Sequence, residues 1–372
     1  MVLNEVSRTQ ADPVLALDAR WYTDPQVFER EQGAIFARTW QYACHASELG
    51  KAGDYVTFSI GRVGLFAVRD RTGAVRCYHN VCRHRAHELV EGRGSRPFIV
   101  CPYHGWRYDL DGALKSAPGE DSTPGFDRAC IRLREVRTEL FCGFVFVNLD
   151  PDAAPMETWY PGVEEELRSF VPNIDALQPI AQIPVEEACN WKVSVENYSE
   201  CYHCKLRHPT FSNGVIDPDR YDISPRGHCL RHTTVSAASA KMTYAIDAQN
   251  PHAGDYSSWY LWPTLSFQVY PGNVLNTYLW RANSHDRVTV WRGWYTPGGG
   301  LSDAVDRLAR QDLDTTVAED IAIVESVQRG LESGSYEPGP LIINPKGGVM
   351  SEHSIAAIYG WLREAMGDDP AP

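Results

Sequence analysis

The stretch Cys82–Trp106, CRHRAHELVEGRGSRPFIVCPYHGW, places Cys82-x-His84 ahead of Cys101-x-x-His104, with sixteen residues between His84 and Cys101. Two thiols and two imidazoles at that spacing form a metal-binding quartet. Two centres are consistent with it: tetrahedral zinc, or a two-iron, two-sulfur cluster in which two His replace two Cys on one iron. Zinc modules usually draw both Cys from one knuckle and both His from a helix, whereas here each half supplies one of each. That pairing puts the two thiolates on one iron and the two imidazoles on the other, and points to electron transfer. Cys77, His79 and His87 lie close by but outside the pattern, and read as core or surface residues.

Outward from this stretch, residues 54 to 150 carry short runs rich in Val, Phe, Ile and Tyr, separated by Gly and charged turns, which predicts an all-β module. Both halves of the quartet fall on loops after strand-like runs. Asp24-Pro25 opens a helical pattern before the module, with Val27, Ile35, Phe36 and Trp40 as its apolar side, and the Asp150-Pro151 and Ala154-Pro155 steps close the module. Beyond them come a helix around Glu157–Phe170, a second β-rich region through Trp259–Arg281 and Val288–Tyr295, a long helix from about Asp303 to Leu331 and a shorter one over 351–366. The expected fold class is α+β, with the all-β module (42–150) inserted in a larger domain formed by residues 1–41 and 151–372 around a central antiparallel sheet flanked by helices.

At 372 residues and a net charge of -13 the chain can bury a large core, and it lacks the clustered Lys and Arg that bind nucleic acid non-specifically. No stretch approaches the roughly 20 apolar residues needed to span a bilayer. The first twenty residues show no signal-peptide pattern, and ten Cys in a chain this long do not form a disulfide scaffold. A cytoplasmic location is expected, where free thiols and iron-sulfur clusters persist.

A second constellation begins at Glu196-Asn197 and runs through Glu200, His203 and His208-Pro209. If the segment is helical, Glu200 and His203 share a face, while His208 sits about 140° from His203 around the helix. Pro209 disfavours helical backbone at His208, so the helix can end or distort there and return His208 to His203. Two imidazoles facing one metal need a carboxylate to complete the facial triad of a non-haem iron(II) site. On the late helix, Leu313, Val317, Val324, Val327 and Leu331 form an apolar stripe that includes Asp320. A lone carboxylate on such a stripe is expensive unless paired or metal-bound, which makes Asp320 the candidate. Its neighbour Glu319 faces Thr315, Thr316 and Ser326, away from the stripe.

The first stretch resembles the Rieske cluster-binding motif. NWKVSVENYSECYHCKLRHP and EDIAIVESVQRGL resemble the mononuclear-iron segments of the Rieske non-haem iron oxygenases, in that family's order. The resemblance implies that Cys82, His84, Cys101 and His104 bind one [2Fe-2S] cluster and that His203, His208 and Asp320 bind one mononuclear iron(II). It also implies that Glu200 links the cluster of one subunit to the iron of its neighbour in a homotrimer, with Asn197 a polar residue near the iron. Many ring-hydroxylating members have Asp where this chain has Glu200, and the ECYHC context is closer to members acting on quaternary ammonium compounds such as glycine betaine, stachydrine or carnitine.

No G-x-G-x-x-G stands at a strand-to-helix junction, so the NAD(P)H-dependent reductase is expected to be a separate polypeptide. The expected function is that of a terminal oxygenase using O2 to hydroxylate or N-demethylate a betaine-like small molecule. Trp259, Tyr260, Trp262, Phe267, Tyr270 and Tyr278, clustered in one β-rich stretch, are the candidates for an aromatic cage around the cation. The rivals are a ring hydroxylase of an aromatic acid, which needs a basic anchor in its pocket, and a Rieske electron carrier, which needs no iron triad.

Overall fold

The structure is a computed structural model that describes residues 12–238, 241–246, 251–300 and 302–369. Residues 1–11, part of the stretch read above for a signal peptide, lie outside the described residues.

The β-rich run after Asp54 forms a seven-stranded antiparallel sheet. Its strands are β1 (Gln41–His45), β2 (Asp54–Ile60), β3 (Val63–Arg69), β4 (Val75–His79), β5 (Arg93–Ser95), β9 (Glu135–Phe141) and β10 (Phe144–Asn148), in spatial order β1-β10-β9-β4-β3-β2-β5. A three-stranded ladder, β6 (Ile99–Val100), β7 (Arg107–Tyr108) and β8 (Leu114–Ser116), lies between β5 and β9 in the chain. Every residue of β10 is buried. Phe144 explains part of that, since its ring packs against Phe267 (4.8 Å between centroids) and Tyr295 (5.1 Å) of the second sheet.

That second sheet is also seven-stranded and antiparallel. It consists of β11 (Leu177–Glu187), β12 (Asp222–Arg226), β13 (Cys229–Val235), β14 (Asp255–Leu261), β15 (Leu265–Tyr270), β16 (Val274–Ser284) and β17 (Arg287–Pro297), in spatial order β11-β17-β16-β15-β14-β13-β12. Side chains alternate between its faces with period two. Tyr256, Gln268, Tyr270 and Tyr278 lie on the face that carries the metal site, and Trp259 and Phe267, paired across β14 and β15, lie on the other.

The helices used below are α1 (Pro25–Glu31), α2 (Val163–Phe170), α3 (Trp191–Tyr198), α4 (Cys204–Arg207), α5 (Pro209–Gly214), α6 (Asp303–Asp312), α7 (Ala318–Glu332) and α8 (His353–Met366). Asn190 caps α3 by accepting from the Lys192 N–H at 2.9 Å. A fully buried Lys192–Glu31 ion pair, with Trp191 Nε1 donating to Glu31 Oε2 at 2.8 Å, ties α3 to α1. Leaving either charge alone there would cost about 3–5 kcal/mol, so the pair fixes where α3 enters the core. The long helix expected from Asp303 is interrupted by a π-helical turn at Leu313–Val317, which joins α6 to α7. Among the described residues, no helix is long and apolar enough to cross a membrane.

Candidate metal centres

The two halves of the quartet fold alike. In each loop the Cys carbonyl accepts from the N–H four residues on (Ala86 to Cys82, 3.1 Å; Gly105 to Cys101, 3.0 Å), and the Cys N–H donates to the carbonyl five residues on (His87 and Trp106, both 2.8 Å). Ala86 and Gly105 take the left-handed conformation this turn needs, with φ of 59° and 74°. Asn80 pins the first loop, donating to Val90 O at 2.8 Å and accepting from the N–H groups of Leu89 and Val90. Both thiols are thereby buried, at 2% exposure each, while His84 is exposed and its ring centroid lies 4.6 Å from that of His104. Trp106 stacks on His84 at 4.8 Å. His104 Nδ1 is buried without a hydrogen-bond partner, a buried nitrogen left for a metal, so the residues fit a cluster with a thiolate side inward and an imidazole side outward. Tyr108 lies 3.3 Å through its hydroxyl from Cys82 Sγ. Of the three residues set aside, Cys77 is buried, His79 half-buried and His87 exposed.

The second centre is assembled from α7 and the segment joining α3 to α5. Helix α3 ends at Tyr198, so Glu200 and His203 do not meet along a helix. They meet through a tight turn in which the Glu200 carboxylate accepts from the backbone N–H groups of Tyr202 and His203, closed by a disulfide between Cys201 and Cys204. Helix α4 stops at Arg207, His208 adopts φ -115° and ψ 67°, and Pro209 opens α5, the break that proline was expected to impose. His203 Nε2 and His208 Nε2 come within 2.9 Å, and Asp320 Oδ1 lies 3.1 Å from His208 Nε2 and 3.6 Å from His203 Nε2.

Burial disfavours charge on His203, yet the neighbouring carboxylates of Asp320 and Glu200 outweigh it and raise its pKa to about 10. Burial opposes the charge of His208 as well, but Asp320 and Glu319 raise its pKa. Burial works against the Asp320 carboxylate too, while His203 and His208 hold it down at about 2. The point where the three side chains converge therefore calls for positive charge. Asp320 Oδ1 is buried and makes no well-formed hydrogen bond, so a divalent metal fits the donor set, displacing imidazole protons as it binds.

Glu319 does not point away: its Oε2 accepts from His208 Nδ1 at 2.8 Å, as Glu200 Oε1 accepts from His203 Nδ1 at 2.5 Å. A helical wheel of α7 alone could not reveal this, because His208 presents its two nitrogens to two successive residues of the helix. Val327 also leaves the stripe, being 44% exposed on the wall of a neighbouring cavity.

A cavity of about 60 Å³ beside the triad is lined by Asn197, Glu200, Thr316, Gln268 and six aromatic rings: Tyr198, Phe211, Tyr221, Tyr256, Tyr270 and Tyr278. Burial holds the phenols of Tyr221, Tyr256, Tyr270 and Tyr278 well above their ordinary pKa, so they remain neutral. Of the expected cage only Tyr270 and Tyr278 are here. Trp259 and Phe267 face the other side of the sheet, where Trp259 donates to Glu166 and Phe267 packs on Phe144. Tyr260 shares the face of the site but lies farther along β14, against Trp280, with its hydroxyl on Pro263 O. Trp262 packs on Trp191 beyond the strand end. Tyr198, Phe211, Tyr221 and Tyr256 were missed. All four lie before the β-rich stretch that begins at Trp259, although Tyr256 is in β14, three residues ahead of Trp259 and on the same face of the sheet as Gln268 and Tyr270.

A family model described as the Rieske [2Fe-2S] domain matches residues 39–127, and one described as the ring hydroxylating alpha subunit (catalytic domain) matches 174–368. The carnitine monooxygenase oxygenase subunit of Escherichia coli (strain K12) is 34% identical over 95% of this chain and 94% of its own length. The chloroplastic choline monooxygenase of Beta vulgaris is 28% identical over 95% of this chain and 78% of its own. The solved structure of a quaternary ammonium Rieske monooxygenase superposes with a TM-score of 0.86 at 30% identity, covering 95% of this chain and 96% of that one. Naphthalene 1,2-dioxygenase, at 20% identity and a TM-score of 0.77, shares the fold. The chain is thus an oxidoreductase whose cofactors are one Rieske [2Fe-2S] cluster and one mononuclear non-haem iron, and it belongs to the Rieske non-haem iron oxygenases as a catalytic alpha subunit.

Proposed function

We propose that this chain, supplied with electrons by a separate reductase, hydroxylates an N-methyl carbon of a quaternary ammonium compound. The observation that carries the reading is the wall of the small cavity: six aromatic rings and, among the described lining residues, acidic side chains but no Lys or Arg. A quaternary ammonium cannot shed its charge and is held by aromatic faces. An aromatic acid would need a basic anchor, and the lining offers none. The related oxygenases named for carnitine and choline agree with a cationic substrate.

In this reading Cys82, His84, Cys101 and His104 hold the cluster, and His203, His208 and Asp320 hold the iron. When bound, the metals supply electron storage and O2 activation. Glu200 keeps the proton of His203 on Nδ1, which leaves the Nε2 lone pair for the metal. The tyrosine faces orient the N-methyl group and keep water away. With two electrons and two protons, O2 yields one hydroxylated carbon and one water. The product, an N-hydroxymethyl ammonium, breaks its C–N bond to give formaldehyde, a tertiary amine and a proton.

Glu200 is also the residue proposed to receive electrons from a neighbouring copy in a trimer. Tyr202 and Leu206, 40% and 85% exposed on the outer side of its loop, would be covered by that contact.

The iron-loaded protein is incubated with a compatible reductase and a panel of betaines, carnitine and choline while O2, formaldehyde and hydroxylated products are followed. Formaldehyde or hydroxylated product in step with O2 use is expected. Oxygen use without either, across the panel, overturns the proposal.

A further inference from the structure

Both imidazoles of the triad carry a carboxylate on the nitrogen facing away from the metal point, Glu200 on His203 and Glu319 on His208. Glu319 and Asp320 are successive residues of α7, so this helix grips the centre twice, directly and through His208. Among the described residues, His208 is the only hydrogen-bond partner of Glu319. Its side chain retains 29% exposure, so it holds up nothing else in the core.

The second consequence is one of charge. A ferrous ion brings two positive charges, and Asp320, Glu200 and Glu319 bring three negative ones, with both imidazoles neutral. The loaded centre is then left with one net negative charge beside a cavity whose described lining has no Lys or Arg. Arg292, a buried cation, is paired with Asp312 at 3.3 Å and lies over the Tyr278 ring. One permanent cation in the cavity makes the whole neutral, and a low-dielectric site favours that balance.

We propose that Glu319 is a positioning residue that holds His208 with Nε2 toward the iron, and that its charge sets the preference of the cavity for a cationic over a neutral ligand. The second half rests on the reading of a quaternary ammonium substrate given above.

Glu319→Gln and Glu319→Ala separate the two roles, because Gln keeps an oxygen for His208 Nδ1–H and loses only the charge. Two quantities are measured besides turnover. One is iron retained against a chelator. The other is the ratio of dissociation constants for choline and for its tert-butyl isostere, 3,3-dimethyl-1-butanol, in the iron-loaded protein. An unchanged cluster spectrum reports folding.

Glu319→Gln is expected to keep iron within about twofold and to lose roughly fivefold of the preference for choline, a modest figure because the group is partly solvated. Glu319→Ala is expected to lower iron affinity about 10- to 100-fold, the usual effect of removing the partner of a metal-bound imidazole. Full iron retention in Glu319→Ala overturns the positioning role, and an unchanged preference in Glu319→Gln overturns the charge role. A wild-type protein that does not prefer choline to its isostere overturns both the charge role and the substrate reading, while the chelator measurement still decides positioning.

Discussion

Glu196 lies on α3, four residues before Glu200, and lines with it a cavity of about 610 Å³ on the side of α3 away from the β-sheet. Its carboxyl accepts from Tyr22 at 2.9 and 3.1 Å and from Tyr359 at 3.4 Å, and Lys192, Glu352 and Tyr336 also act on its charge. Burial is the largest influence and raises its pKa from 4.5 to about 7, against the lowering effect of Tyr22, Lys192 and Tyr359. The folded state therefore holds this proton more tightly than the unfolded state. The resulting stabilisation is complete below about pH 4.5 and is lost as pH rises through about 7. The shift corresponds to about 3 kcal/mol, and about 2 kcal/mol is a fairer figure for a group on a cavity wall. Glu196→Gln preserves the acceptor for Tyr22 and cannot ionise. In urea unfolding of the metal-loaded proteins, the variant is expected to exceed wild type by about 1 kcal/mol at pH 5.5, where the unfolded carboxyl is already ionised, and by about 2 kcal/mol at pH 8.5. Taking the difference between the two proteins cancels every other titrating group. A difference independent of pH would refute the reasoning, since it would mean that Glu196 is ionised across the whole range.

Four further outcomes are expected. His203→Ala should lose the iron beyond the two atoms of the cluster while the visible cluster spectrum survives, as metal analysis beside absorbance would check. Tyr270→Ala or Tyr278→Ala should weaken quaternary ammonium binding by about 1–2 kcal/mol in equilibrium dialysis. Trp259→Phe should lower stability with no change in that binding, because its indole faces Glu166 and α2. Tyr108→Phe removes the hydroxyl beside Cys82 Sγ and should lower the cluster reduction potential by on the order of tens of millivolts, read by redox titration.

The residues proposed as metal ligands were legible because ligand chemistry is written in residue type and spacing, and because Pro209 has a local backbone consequence that needs no tertiary structure. The cage was not, and the reason is physical. An aromatic residue in a strand of a two-sided sheet has an equal chance of facing either layer, and both layers here are apolar: Trp259 and Phe267 pack as tightly as Tyr270 and Tyr278. Only register against a known site residue tells the faces apart. Tyr198, Phe211 and Tyr221 come from outside the β-run, and their convergence is a property of the fold. The role of Glu319 was hidden for a related reason, since its partner arrives from another segment of chain.

The placement of Asp320 shows how a local irregularity can set a functional geometry. Asp312 ends α6 facing the sheet, where its carboxylate accepts from Tyr278 at 2.9 and 3.1 Å. Asp320 follows eight residues later and must face the same way to meet the histidines. In an unbroken α-helix eight residues carry a side chain about 80° past its starting direction, enough to turn Asp320 off the sheet-facing side. The π-turn at Leu313–Val317 takes up one additional residue in that interval and sets the following helix back by about 100°, which returns Asp320 close to the direction of Asp312. The apolar stripe drawn at regular helical spacing found Asp320 because Val317, the last residue of the turn, and Val324, within α7, flank it at spacings that the irregularity before them does not disturb. That stripe carried no information about Asp312. The same helix can thus hold a structural carboxylate under Tyr278 and a candidate metal ligand beside it, and the inserted residue is what lets one face of one helix do both.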